Sequence, residues 1–141
     1  MLTRFWTNMM VDDIHETISF YQKTLGFEHV MSVPKDSEEI LFQYDAGQPL
    51  VYAVIKYGDI EMMLQERESL MENVPAFKPG TATGGTLTFY FATDDVSAVA
   101  AKVKGSCEIV RDLHDTFYGM REIYVRDPNG YILGFAQQMT P

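Results

Sequence analysis

Two segments roughly 80 residues apart open in the same way, and this echo limits the possible folds more than any other feature of the chain. Met10-Val11-Asp12-Asp13-Ile14 closes an apolar stretch and begins a helical pattern; Ala92-Thr93-Asp94-Asp95-Val96 repeats it. In the first segment Asp13 stands at the N-cap with Glu16 at capping-box spacing. Ile14, Ile18, Tyr21 and Leu25 follow at helical intervals, and Gly26 supplies the stop. In the second, Asp95 caps, Val96, Val99, Ala100 and Val103 form the stripe, and Gly105 ends it. Matching start and stop chemistry predicts a duplicated unit.

The flanking stretches read as strands. Residues 3–11 precede the first helix, and 28–33, 51–57 and 59–66 follow it, with Gly58 as a tight turn between the last two. Around the second helix lie 87–91, 108–111, 121–126 and 131–138, with Asp127-Pro128-Asn129-Gly130 as a turn before the last. Each half therefore reads β-α-β-β-β. The expected fold is α+β: a module over 1–66, a linker over 67–83 and a module over 84–139. The modules are expected to build an open, curved mixed sheet around a cleft, with the helices packed outside. Residues 35–49 stay open; Ile40, Phe42 and Tyr44 alternate like a short extra strand.

Strand alternation sorts the side chains by face. Leu87, Phe89 and Phe91 share a dry face, as do Ile60, Met62 and Leu64. The opposite faces carry Thr88 and Tyr90, Glu61, Met63 and Gln65, and, on the first strand, Trp6, Asn8 and Met10. Met9, Met10, Met62, Met63 and Met120 are read as a yielding apolar wall.

Composition narrows the partners. Acidic residues outnumber basic ones 20 to 11, a formal charge of −9, which argues against a nucleic-acid surface and against anionic membranes. Cys107 is the only cysteine, so an internal disulfide and a cysteine-rich zinc site are ruled out. With no long apolar run and no charged-then-apolar leader at Met1, a cytoplasmic protein is expected.

The paired β-α-β-β-β units, the Asp-Asp-Ile helix start, Phe20-Tyr21 before Leu25-Gly26-Phe27, and Asp127-Pro128-Asn129-Gly130-Tyr131 together resemble the vicinal oxygen chelate superfamily. That group contains glyoxalase I, extradiol dioxygenases, fosfomycin-resistance transferases and bleomycin-binding resistance proteins. Its enzymes hold a divalent metal through His and Glu ligands on the first and last strands of each unit. Carried over, the ligand positions fall at Trp6, Glu61, Thr88 and Gly134. Only Glu61 can coordinate a metal, whereas stable sites use three or four ligands. No metal and no other cofactor is expected.

Other chemistry is sparse. His15, His29 and His114 lack metal-binding spacing and read as surface or loop histidines, His114 beside Asp112 and Asp115. Cys107 reads as an inert thiol, and no nucleophile elbow, phosphate loop or dinucleotide fingerprint occurs. The candidate ligand-binding residues are Trp6, Asn8, Glu61, Met63, Gln65, Thr88, Tyr90, Tyr118, Glu122 and Tyr124. The resemblance is closest to the bleomycin-resistance branch. It implies a homodimer that sequesters a small cationic or aromatic molecule, Trp6 and Tyr90 supplying ring faces and Glu61 a charge. The alternative is a metal-dependent lyase, isomerase or dioxygenase in which Glu61 is joined by His114 or Glu122.

Overall fold

The computed structural model describes residues 1–140, which divide into two compact units, Met1–Thr81 and the chain from Ala82 onward. The first unit runs β1 (Thr7–Val11), α1 (Ile14–Leu25), β2 (Glu28–Pro34), β3 (Leu50–Tyr57), β4 (Ile60–Glu66) and α2 (Arg67–Asn73). The second runs β5 (Thr88–Ala92), α3 (Val96–Val103), β6 (Glu108–Asp115), β7 (Met120–Arg126) and β8 (Ile132–Gln138). Each unit holds a four-stranded mixed sheet, ordered β1-β4-β3-β2 and β5-β8-β7-β6. In both, the first strand pairs parallel with the last and the remaining pairs are antiparallel. The α+β class and the repeated β-α-β-β-β order are as expected, and neither sheet closes into a barrel.

Most helix signals act as the sequence implies, except that α3 ends at Val103 with an extended Lys104 as its C-cap, one residue before Gly105. Asp13 accepts the Glu16 N–H at 3.1 Å, a cap worth about 1 kcal/mol. Gly26 ends α1 at φ 83°, a left-handed turn that would strain any side chain. Ile14, Ile18, Tyr21 and Leu25 are buried against the sheet, each burial contributing roughly 1.5–3 kcal/mol. Asp95 repeats the cap on the Ala98 N–H at 3.0 Å, and Val96, Ala100 and Val103 bury while Val99 sits half-buried.

Several expectations need correction. β1 is shorter than residues 3–11, because only Thr7–Val11 finds a pairing partner on β4. β6 extends to Asp115 and takes in His114, which was expected in a loop; a register shift between Arg111 and His114 bulges this edge strand and breaks its alternation. Residues 35–49, which the sequence left open, form no strand, and a single bridge ties Leu41 to Ser32. Within 67–83, Arg67–Asn73 is helical: Glu66 caps the Glu68 and Ser69 N–H groups and Leu70 buries. The methionines do not make one wall. Met9 and Met62 share one face, Met9 meeting the Tyr21 hydroxyl through its sulfur, whereas Met10, buried as well, and Met63 share the parity of Asn8 and Gln65 on the other.

Candidate functional site

The expected site residues fall into two groups, one in each unit. In the first, Trp6 Nε1 donates to Glu61 Oε2 at 2.9 Å. Asn8 Nδ2 donates to Gln65 Oε1 at 2.9 Å, and Gln65 passes the chain on to Ser69 Oγ at 2.9 Å. Gln65 is buried, so this relay satisfies an amide that would otherwise be costly to desolvate. Met63 is half-buried and enters no bond with these groups. A cavity of about 580 Å³ opens here, lined among others by Arg4, Trp6, Lys56, Asp59 and Glu61. The Arg4 guanidinium lies 5.2 Å from the centre of the Trp6 ring, so one face of that ring already carries a cation from its own chain. Arg4 was missed in the sequence, although it stands only two residues before Trp6.

The second group is tighter and centres on Glu122. Its side chain is 1% exposed, yet it accepts hydrogen bonds from Tyr90, Tyr118 and Tyr124. Tyr118 Oη lies 3.0 Å from both carboxylate oxygens, Tyr124 Oη lies 3.2 Å from Oε1, and Tyr90 bonds Oε2. His114 Nε2 stands 3.4 Å from Oε1, and its Nδ1 donates to the Asp112 carbonyl at 2.8 Å. Strand register explains the convergence. Glu122 pairs with Ala136 and with His114, while Tyr124 and Tyr90 both pair with Gly134 from its two sides. Glu122 and Tyr124 are two residues apart on β7 and so share a face.

Electrostatics follow from that geometry. Burial disfavours the Glu122 carboxylate, but the three phenol donors and His114 outweigh it, and its pKa falls below the ordinary value. The phenols respond in the opposite sense. Burial and the Glu122 charge raise Tyr90 and Tyr124, and the bond to Glu122 with burial raises Tyr118, so all three keep their protons. The result is a buried anion clothed in hydroxyls, with Tyr90 49% and Tyr118 55% exposed around it. Thr88 is exposed on the same strand as Tyr90 and forms no bond with the cluster.

Of the four positions that the sequence resemblance implied for metal ligands, only Glu61 offers a carboxylate. The Trp6 nitrogen is a donor already committed to Glu61, and Thr88 offers a hydroxyl. Gly134 is overlaid by rings: a Cβ there would stand 2.7 Å from Tyr124 Cε1 and 3.3 Å from Tyr90 Cδ1. No cluster of three His, Cys, Asp or Glu side chains suited to a metal occurs among the described residues. The other expected groups are structural. His15 binds Tyr44 Oη and the Gln48 carbonyl, both at 2.5 Å, and His29 binds Ser32 Oγ at 2.9 Å. Cys107 bonds the Val103 carbonyl, and burial pushes its pKa up, as suits an unreactive thiol.

Residues 4–135 match the model of the Glyoxalase/Bleomycin resistance protein/Dioxygenase superfamily. The chain belongs to this superfamily. Solved structures agree on the fold. A protein of unknown function from Agrobacterium tumefaciens str. C58 is 22% identical with a TM-score of 0.73, covering 99% of this chain and 97% of its own. A glyoxalase-related enzyme from Fulvimarina pelagi is 13% identical with a TM-score of 0.74, covering 98% and 89%. TioX from Micromonospora sp. ML1 is 17% identical with a TM-score of 0.65, covering 98% and 100%. No curated protein sequence matches the chain. No helix among the described residues is long and apolar enough to cross a membrane.

Proposed function

We propose that this superfamily member is a metal-independent binding protein that sequesters a small cationic, aromatic molecule. One observation carries the reading: the space beside the last-strand ligand position is filled by Tyr90 and Tyr124, whose hydroxyls hold Glu122 as a buried carboxylate. A desolvated anion flanked by two exposed phenols, Tyr90 and Tyr118, attracts a cation through both its charge and the ring faces. The Trp6–Glu61 pair offers a second, weaker anchor, because Arg4 already occupies one indole face. The lone Cys107 favours a reducing, cytoplasmic setting, and the family resemblance favours a homodimer.

Two measurements on untagged protein test the reading. Elemental analysis after incubation with nickel, cobalt, zinc, manganese and ferrous iron, followed by dialysis, should find far less than one metal per chain. Ligand-observed NMR with benzamidine, benzylamine and benzyltrimethylammonium should detect binding, lost in Glu122→Gln. Stoichiometric metal after dialysis would overturn the proposal, as would the absence of binding by all of these cations.

A further inference from the structure

Tyr118 differs from the other two tyrosines at Glu122. Tyr90 and Tyr124 rise from β5 and β7 and bond one oxygen each, Oε2 and Oε1. Tyr118 comes from the turn between β6 and β7 and lies 3.0 Å from both oxygens. A phenol carries one proton, so Tyr118 serves one oxygen at a time and leaves the other short of a donor on that side. A position facing both oxygens is where a planar cation with two parallel N–H groups docks on a carboxylate.

The turn is built so that Tyr118 can leave. Thr116 Oγ1 bonds both the N–H and the carbonyl of Met120 at 3.0 Å, and Gly119 takes φ 82°, so the backbone of the turn is framed by its own bonds, while the Tyr118 hydroxyl meets Glu122 and the Thr116 side chain. Tyr118 is 55% exposed and its neighbour Phe117 wholly so, which means swinging outward forfeits little buried surface. Tyr90 and Tyr124 would stay in place, because Gly134 seats both rings.

We propose that Tyr118 stands in for the ligand: it occupies the place on Glu122 that a guest amidinium or guanidinium takes, and binding replaces one O–H with two N–H donors. This rests on the cation-binding reading above and names its ligand class. A quaternary ammonium would not do the same work. Having no N–H, it would leave the vacated side of a buried carboxylate without a donor, the costly outcome for such a group.

Titration calorimetry on the intact protein separates the possibilities, using benzamidine and benzyltrimethylammonium against wild type, Tyr118→Phe and Tyr90→Phe. Benzamidine should bind wild type more tightly than benzyltrimethylammonium. Tyr118→Phe should tighten benzamidine about five- to tenfold by removing a competing hydrogen bond, while Tyr90→Phe should weaken it. If Tyr118→Phe instead weakens benzamidine, Tyr118 is a ligand contact and the proposal fails. Equal affinity for the two cations would refute the ligand class yet leave the cation-binding reading standing. Failure of both to bind overturns this proposal, and failure of benzylamine as well brings down the cation-binding reading with it.

Discussion

Replacing Gly134 by alanine tests the packing on which the site depends. Gly134 lies on β8 between β5 and β7 and has no left-handed φ, so its backbone would accept any residue. Only space is at issue. The new Cβ would stand 2.7 Å and 3.1 Å from Tyr124 Cε1 and Cδ1, and 3.3 Å from Tyr90 Cδ1. Carbon pairs are most comfortable at about 3.5–4.0 Å, so the nearest contact is too close by about 1 Å. Neither ring can retreat freely, because both hydroxyls are tied to Glu122. Overpacking of this kind costs about 1–3 kcal/mol. Relief from having glycine inside a strand returns about 0.5–1 kcal/mol. A ring that swung away would add the loss of a charge-assisted hydrogen bond, about 1.5–3 kcal/mol. The net expectation is about 1–4 kcal/mol of destabilisation, a fall in Tm of about 3–15 °C for a domain of this size. Urea and thermal melts of Gly134→Ala, Tyr124→Ala and the double variant read it out. The double variant should be more stable than the sum of the singles by about 1–2 kcal/mol, since removing the ring removes the collision. A Gly134→Ala protein as stable as wild type, or strict additivity, would refute the argument.

Two further outcomes follow from named contacts. The Glu122 carboxyl titrates below its ordinary value of 4.5 in the folded chain, so the unfolded chain binds its proton more readily and wild type loses this contribution as pH falls below that value. The stability gap between wild type and Glu122→Gln should therefore be constant near neutrality and shrink on acidification, and urea melts showing a gap unchanged down to about pH 3 would deny that Glu122 is ionised. Separately, His15 pins the 35–49 segment through Tyr44 and Gln48, so His15→Ala should speed amide hydrogen exchange there, at Leu41 above all, while α1 stays protected. Unchanged exchange at Leu41 would show that its bridge to Ser32 holds the segment alone.

The parts of the fold legible in the sequence were those set by local chemistry. Asp13 and Asp95 as caps, Gly26 as a stop and the α1 stripe all depend on neighbours within a few residues, and each works as it reads. Parity likewise put Glu122 and Tyr124 on one face of their strand. What could not be read was set by register across strands. His114 meets Glu122 only because β6 carries a bulge that no local pattern announces. The methionine wall failed for the opposite reason: parity alone separates Met9 from Met10, and grouping them by type ignored it. Helix α2 was hidden by the proline and glycine positions that follow it, although Glu66 and Leu70 carry its cap and anchor.

Gly134 gives the strongest link between sequence and chemistry. At the last-strand position a glycine looks like a simple loss of a ligand, but in the structure it makes room for something else. Any side chain there would press its first carbon against Tyr124, so a ligating residue at 134 competes for space with the tyrosine cluster on Glu122. The competition also runs the other way. A histidine or glutamate introduced at 134 would push against Tyr124 and Tyr90, which supply donors to a carboxylate that is 1% exposed. Were those donors displaced, the buried charge would have to find a new partner or take up a proton. A donor at 134 and a hydroxyl-clothed Glu122 are thus two alternative solutions to one piece of space, and this chain has adopted the second.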